Sequence, residues 1–304
     1  MKYSLIKLTA ILALAGLISM GCQDVTNSEM EQQPELQSGV YNSDAFLSHS
    51  STLDPFTQTE LDDNWAPDRQ APSGGVLSVD QFGRTNVAQI GIVSSEANTI
   101  AGGYYLTEGI KSPFGPADNF DNGANYGESV QIDLYVDPAW QDNSVRAGFW
   151  TIGDDGAGEA NLGFFGIVEF ANVEGVHEGW RAWDSSAGWN LLETDFAYGE
   201  WVTLTIELDP DADEFIYYID GEMVGAGAAG AESTFIRNLI LNHKNFGSET
   251  GLTDLDNKDY AAHWHAGVVN PQTKNECKKG GWESFGFKNQ GQCIRFVNTG
   301  KDSR

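Results

Sequence analysis

Hydrophobic and polar residues alternate in several short segments of the chain. Residues 201–208 and 131–136 each place an apolar side chain at every second position, and this period of two predicts strands with one buried face. Further strand-like runs lie at 87–93, 145–152, 162–170, 179–183, 215–219, 235–242 and 260–268. No segment shows a helical stripe of apolar residues over several turns, so the pattern predicts an all-β domain.

Turn-forming clusters separate these runs. Asp220 and Gly221 stand between 215–219 and 222–224, and Asp-Gly favours a type I′ hairpin turn because both central residues take positive φ. About ten strands within about 215 residues predict a sandwich of two antiparallel sheets.

Two of these strands carry a resemblance to a known family. Residues 198–206 (YGEWVTLTI) and 215–222 (FIYYIDGE) resemble successive strands of the laminin-G/concanavalin-A-like jelly roll, and 63–69 and 83–87 are similar to openings of secreted bacterial proteins with this fold. The resemblance covers about residues 55–268 and implies a two-sheet antiparallel jelly-roll sandwich, with a domain predicted at 55–270. Because this architecture hosts lectins, glycan-binding modules, glucanases and polysaccharide lyases, it implies a polysaccharide or glycan partner without choosing between binding and catalysis.

The strongly negative net charge limits the classes of molecule that the protein is expected to bind. The chain of 304 residues has a net charge of −27, and residues 23–270 hold eight bases against 41 acids, a net charge of −33. Nucleic-acid binding needs a basic surface, and anionic membrane surfaces attract basic segments, so neither is expected as a direct partner. We expect a monomer that meets a membrane only through an anchor.

The N-terminus is predicted to be a signal for export. Lys2 and Lys7 lie before an apolar run that ends at Gly21. This run is too short to span a bilayer, but it suits a signal peptide of residues 1–21. Residues 18–22 (ISMGC) resemble the lipobox of bacterial lipoproteins, which implies that Cys22 is lipidated, although Ser19 and Met20 depart from the pattern. The alternative is ordinary cleavage after Gly21, which leaves a free thiol.

By analogy with Gram-negative lipoproteins, Gln23 after the cysteine favours the outer membrane or cell surface, with a periplasmic or secreted protein as the alternative. Residues 22–54 are polar and aperiodic, which predicts a lipidated, disordered tether.

The sequence offers little for catalysis. Retaining glucanases of this fold carry Glu-x-Asp-x-Glu on one strand, and this pattern is absent. His263 and His265 fall on one face of a predicted strand and would supply a base or metal ligands, or simply a solvated face. Glu169 and Glu178 have no partner by spacing and are expected at the surface. A non-catalytic role is favoured, and a polysaccharide-degrading enzyme or a structural adhesion protein stays open.

Tryptophans support the binding interpretation. Flat aromatic rings beside hydrogen-bonding groups suit the apolar C–H faces of sugars. A turn at 185–188 would pair Trp183 with Trp189 across a hairpin. The alternative is cross-strand packing within the sandwich. The predicted ligand-binding residues are Trp180, Arg181, Trp183, Asp184, Trp189 and Asn190.

Calcium is the ion that the fold resemblance implies, because such sandwiches often hold Ca²⁺ in loops and hard oxygen ligands suit it. The candidate ligands are Asp118 and Asp121 in one loop and Asp254 and Asp256 in another. Neither loop fits the Asp-x-[Asp/Asn]-x-[Asp/Asn]-Gly signature, and acidic turns are also what so acidic a composition produces.

Residues 271–304 form a separate basic segment. It resembles a short repeat at the C-termini of many secreted bacterial proteins, and it is too small for a core of its own. A Cys277–Cys293 disulfide, in a module packed around Trp282 and Phe287, is predicted to hold it together; a zinc site would lack two ligands.

Overall fold

The structure of the chain is a computed structural model. It describes residues 50–51, 53–93, 107–112, 126–141, 145–155, 165–173, 177–230, 232–244 and 259–267, and in the C-terminal segment 274–275, 277–279, 282, 285 and 287–299. The predicted signal peptide, Cys22 and the four predicted calcium ligands lie outside these residues.

Strands dominate the part of the chain that is described. In chain order they are β1 (Ser50–Ser51), β2 (Ala66–Arg69), β3 (Val76–Gln81), β4 (Arg84–Ile92), β5 (Thr107–Ser112), β6 (Ser129–Val136), β7 (Val145–Asp154), β8 (Phe165–Val173), β9 (His177–Asp184), β10 (Gly188–Leu191), β11 (Glu200–Asp209), β12 (Glu214–Ile219), β13 (Glu222–Ala228), β14 (Phe235–Lys244) and β15 (Tyr260–His265).

These strands form two sheets. Sheet A has the order β13-β12-β11-β6-β15-β4-β3, and sheet B has the order β10-β9-β8-β7-β14-β5-β2. All neighbours in both orders pair antiparallel, and the two-residue β1 pairs parallel with β6. The predicted two-sheet antiparallel jelly-roll sandwich is confirmed.

The structure contains two α-helices that the hydrophobic pattern did not predict. Helix α1 (Gln58–Asn64) begins after Thr57, whose Oγ1 accepts a 3.0 Å hydrogen bond from the Glu60 amide, and a helix of seven residues is too short to show a stripe. Helix α2 (Gln290–Thr299) lies in the C-terminal segment. A short 3₁₀ helix spans Pro138–Trp140. Among the helices of the described ranges, none is long and apolar enough to cross a membrane.

The main core lies between the sheets and follows the predicted alternation. On β11 the side chains of Val202, Leu204 and Ile206 point inward and are buried, and on β7 the same holds for Phe149. Trp140, Trp180 and Trp264 are the largest fully buried side chains, so three of the tryptophans are structural.

A second buried cluster lies on the other side of sheet B, which we call the outer face of sheet B. It consists of Trp150, Ile152, Ile167 and Ile240, with Phe165, Trp183 and Trp189 half-buried beside it. Every residue of β7 is therefore buried, on both faces of the sheet. The sequence predicted a strand here, and the structure shows that both of its faces are buried.

Local predictions of geometry are confirmed in two places. Asp220 and Gly221 have φ values of 50° and 80°, and they join β12 to β13 as the type I′ signal predicted. In the C-terminal segment the predicted disulfide joins Cys277 to Cys293, and both sulfurs are buried against Phe287.

Candidate functional site

The hairpin of β9 and β10 at the edge of sheet B presents the predicted tryptophan pair. The register places Trp183 directly opposite Trp189, as the turn at 185–188 predicted. Their rings meet edge to face, with centroids 5.4 Å apart, and both side chains are half-buried. Leu191, which follows on the same edge strand, is 53% exposed. The outer face of sheet B thus opens to solvent at this edge.

Arg181 lies beside this pair on the same face. Its guanidinium carbon is 4.0 Å from the centroid of the Trp189 ring, within the range of a cation–π contact. The Arg181 side chain is only 9% exposed, and burial costs a charged group free energy unless a partner of opposite sign is close.

Glu169 is that partner, and the sequence prediction missed it. It lies opposite Arg181 in the register of β8 and β9, where its Oε1 accepts a 2.6 Å hydrogen bond from Arg181 Nε. Arg146 Nε of β7 is 4.0 Å from the same oxygen. Glu169 was expected at the surface, but it is buried between two guanidinium groups. The available signal was the short β8–β9 connection, which puts residues 169 and 181 across from each other.

Glycine leaves room for this arrangement. Gly148 of β7 faces Glu169 across the ladder. A Cβ atom at position 148 would lie 2.6 Å from Trp150 Nε1 and 3.1 Å from Glu169 Oε2. The missing side chain therefore allows the Trp150 indole and the Glu169 carboxylate to lie against the backbone of β7.

The other three predicted ligand-binding residues lie elsewhere. Trp180 is fully buried in the main core, where its ring contacts Phe170 at a centroid distance of 5.4 Å. Asn190 pairs in register with Ala182, a main-core residue, and so it lies on the face opposite Trp189. Strand alternation explains both positions, because neighbouring residues of a strand point to opposite faces. These two residues do not belong to the tryptophan surface.

Asp184 holds the turn of the hairpin together. Its Oδ1 accepts hydrogen bonds from the amides of Ser186 and Ala187 and from the Ser186 hydroxyl. Burial opposes its ionisation, but these hydrogen bonds hold the pKa of Asp184 below its usual value. Its carboxylate oxygen is engaged in positioning Trp183 and Trp189 rather than directed at a ligand.

Paired carboxylates suited to glycoside hydrolysis do not occur among the described strand residues of this face. By register its carboxylates are Asp68, Asp154 and Glu169. Asp68 on β2 is four strands away from Glu169 on β8, a distance of about 19 Å across the sheet. Asp154 is six residues along β7 from Gly148, the residue opposite Glu169, which places it about 20 Å from Glu169 along the strand direction. Glycosidases hold their two carboxyl groups about 5–10 Å apart. The described part of this face is thus not built for that chemistry.

The two predicted histidines lie together on the outer face of sheet A. His265 Nδ1 is 3.4 Å from Asp133 Oδ2, and His263 Nε2 is 3.3 Å from Gln89 Oε1. Burial lowers the pKa of His263, so its ring is neutral at pH 7. No group of three or more metal-ligating side chains occurs in the described ranges.

Asp133 is the centre of this polar cluster. It accepts hydrogen bonds from Arg84 and, at 2.7 Å, from the Thr203 hydroxyl. Burial opposes its ionisation, but the His265 contact and the Arg84 charge hold the pKa of Asp133 below its usual value. Arg84 also lies 4.1 Å from the Trp201 ring centroid. Each outer face therefore carries one arginine between a tryptophan ring and a buried carboxylate.

Comparisons with known proteins add a likeness of fold. No family model and no curated protein matches the chain. A Crh5 transglycosylase structure is 14% identical over 73% of this chain and 85% of that chain, with a TM-score of 0.42. The Bacillus licheniformis beta-glucanase is 12% identical over 72% and 95%, with a TM-score of 0.43. A glycoside hydrolase family 16 endo-glucanase from Bacteroides ovatus is 12% identical over 67% and 94%, also with a TM-score of 0.43.

Proposed function

We propose that this chain is a non-catalytic glycan-binding protein. Its binding surface is the β9–β10 edge of the outer face of sheet B, formed by Trp183, Trp189 and Arg181. We also propose that the protein is exported and anchored by lipid at Cys22, so that the residues between Cys22 and β1 tether the sandwich to the outer membrane; Ser50 and Ser51 pair with β6 and belong to the sandwich itself.

The observation that carries the binding proposal is the fixed geometry of the tryptophan pair. Trp183 is held from behind, because its carbonyl oxygen accepts a 2.6 Å hydrogen bond from the Tyr217 hydroxyl of sheet A. Trp189 is held by Arg181 and by its edge-to-face contact with Trp183. Rigid, half-exposed aromatic rings lose little conformational entropy when a sugar ring lies against them.

The polar neighbours supply hydrogen-bonding groups next to these rings. Arg181 offers guanidinium N–H donors, and a sugar hydroxyl is a suitable acceptor. The described carboxylates of the same face are either paired with arginine, as Glu169 and Asp154 are, or far from one another. This arrangement favours holding a glycan over cleaving it.

The test is a binding measurement with a catalytic readout in parallel. The exported protein without residues 1–21 is titrated with a panel of soluble polysaccharides, and tryptophan fluorescence and affinity electrophoresis report binding. Wild-type protein should bind at least one polysaccharide, Trp189→Ala should lose at least tenfold in affinity, and reducing ends and unsaturated uronides should not accumulate. Binding that is unchanged in Trp183→Ala and Trp189→Ala would overturn the site, and steady product formation would overturn the non-catalytic role.

Lipid anchoring has its own measurement. A Cys22→Ser variant should be released from the membrane fraction of the expressing cells, whereas wild-type protein should stay with it. A Cys22→Ser protein that fractionates like wild type would contradict the anchor.

A further inference from the structure

We infer that the glycan bound at the β9–β10 edge is acidic and carries carboxylate or sulfate groups. This inference rests on the proposed function, which it extends from glycans in general to one chemical class. Its basis is the position of the few basic side chains in an otherwise strongly acidic sandwich.

Bases are rare between residues 23 and 270, where eight of them stand among 41 acids. Five of the eight have described side chains, and four of these five belong to the outer face of sheet B. Lys111 and Arg146 lie on it by register, opposite Ile240 and Ala171, and Arg181 lies opposite Glu169. Arg237, at the β14 bulge, joins Asp154 of that face through a 2.6 Å contact.

Acids are correspondingly few on this face. Its described acidic strand residues are Asp68, Asp154 and Glu169. This face therefore has four bases and three acids, whereas residues 23–270 as a whole have about five acids for each base. Of the two outer faces, that of sheet B is thus the one whose described strand residues include more basic than acidic side chains.

The outer face of sheet A shows the opposite balance and serves as an internal comparison. Its described base is Arg84, whereas Asp133, Glu207, Asp209 and Glu214 lie on it by register. Arg84 contacts the Trp201 ring and pairs with Asp133, just as Arg181 contacts the Trp189 ring and pairs with Glu169. The two faces therefore differ in surrounding charge and not in the stacked arginine itself.

Screening makes a local positive surface compatible with the net charge. At 0.15 M salt the Debye length is about 8 Å, so the acids of distant turns scarcely act on a glycan at this edge. At about 10 mM salt the Debye length grows to about 30 Å, and the whole domain repels an anion. Affinity for an acidic glycan should therefore rise from 10 mM to 0.15 M salt and fall again above about 0.5 M, when contacts with arginine are screened too.

The experiment compares acidic and neutral glycans of matched length. The probes are oligoalginate (carboxylate groups), dextran sulfate (sulfate groups) and plain dextran, measured by calorimetry in EDTA at several salt concentrations. The variants are Arg181→Gln, Arg181→Lys, which keeps the charge, and Arg84→Gln, the matched change on sheet A. Circular dichroism and the melting temperature confirm that each variant is folded.

We expect wild-type protein to bind at least one acidic glycan tenfold or more tightly than dextran. Arg181→Gln should abolish this preference, Arg181→Lys should keep most of it, and Arg84→Gln should change it by less than twofold. A preference for carboxylate over sulfate, or the reverse, identifies the anion. Equal affinity for acidic and neutral glycans, or a preference that survives in Arg181→Gln, would overturn the inference and leave the proposed function standing. Binding to none of the wider polysaccharide panel would overturn the proposed function itself.

Discussion

Glu169 holds Arg181 in place, with its Oε1 2.6 Å from Arg181 Nε across the β8–β9 ladder. This contact compensates the charge of a buried guanidinium whose carbon lies 4.0 Å from the centroid of the Trp189 ring. Arg146 approaches the same oxygen to 4.0 Å. One carboxylate therefore offsets the repulsion between two like charges on β7 and β9, the two strands that flank β8, and the geometry of the tryptophan surface depends on it.

Replacing this carboxylate by an amide should destabilise the fold. Glu169→Gln keeps the shape but removes the charge, which leaves Arg146 and Arg181 close together and poorly compensated. Breaking a buried ion pair in this way costs about 3–5 kcal/mol. Urea denaturation should show this loss in the free energy of unfolding, and glycan affinity should fall with it. Glu193→Gln is the control, because Glu193 is exposed, and it should change stability by less than about 0.5 kcal/mol.

Two tryptophans nine residues apart should respond oppositely to truncation. Trp180 is fully buried in the main core, so Trp180→Ala should cost about 3–5 kcal/mol of stability. Trp189 is half-buried at the edge, so Trp189→Ala should cost clearly less while removing most of the binding. Denaturant titrations and glycan titrations on the same samples separate the two effects. A Trp189→Ala protein that loses as much stability as Trp180→Ala would mean that Trp189 is a core residue.

The position of the tryptophan surface was predictable and its chemical environment was not. Alternation and a turn signal are local features, and they correctly paired Trp183 with Trp189. The inclusion of Trp180 and Asn190 contradicted that same alternation, because the residues flanking Arg181 and Trp189 must point to the opposite face. A stricter use of strand period would have removed both.

Strand pairing between distant parts of the chain explains why the partners of Glu169 and Asp133 were not predicted. Glu169 gains Arg146 through the β7–β8 ladder and Arg181 through the β8–β9 ladder, and single-sequence spacing does not show which strands become neighbours. Asp133 likewise meets Arg84 and His265 from strands 49 and 132 residues away. Burial of both carboxylates follows from these pairings. The expectation of solvated carboxylates was wrong for the acids that lie on inner strands of a sheet.

The disulfide should decide whether the C-terminal segment stays folded. Cys277 and Cys293 are 16 residues apart, and closing a loop of this length stabilises a chain by about 3 kcal/mol. A Cys277→Ser/Cys293→Ser double variant should therefore lose amide protection in α2 by hydrogen exchange, whereas the strands of sheets A and B keep theirs. Unchanged protection in α2 would show that the apolar contacts around Phe287 suffice.

A buried histidine should make the fold sensitive to mild acid. Complete burial lowers the pKa of His243 to about 3, and the nearby His263 would add repulsion if charged. Trp264 Nε1 donates a 3.1 Å hydrogen bond to His243 Nε2, which needs that nitrogen unprotonated. The unfolded chain binds a proton near pH 6.5, whereas the folded chain does so only near pH 3.

The stability that a neutral His243 contributes is therefore present well above pH 6.5 and is lost below it, with a slope that approaches about 1.4 kcal/mol per pH unit. His177 and His263 also have lowered pKa values, so other groups add to the pH dependence of stability. The test therefore compares the wild-type protein with a variant that differs only at His243. His243→Gln keeps an acceptor for the Trp264 indole and cannot be protonated in this range. Between pH 6.5 and 5, urea denaturation should show wild-type stability falling relative to His243→Gln by about 1.6 kcal/mol in total. Parallel curves for the two proteins would mean that the folded state accepts a proton at His243 as readily as the unfolded chain does.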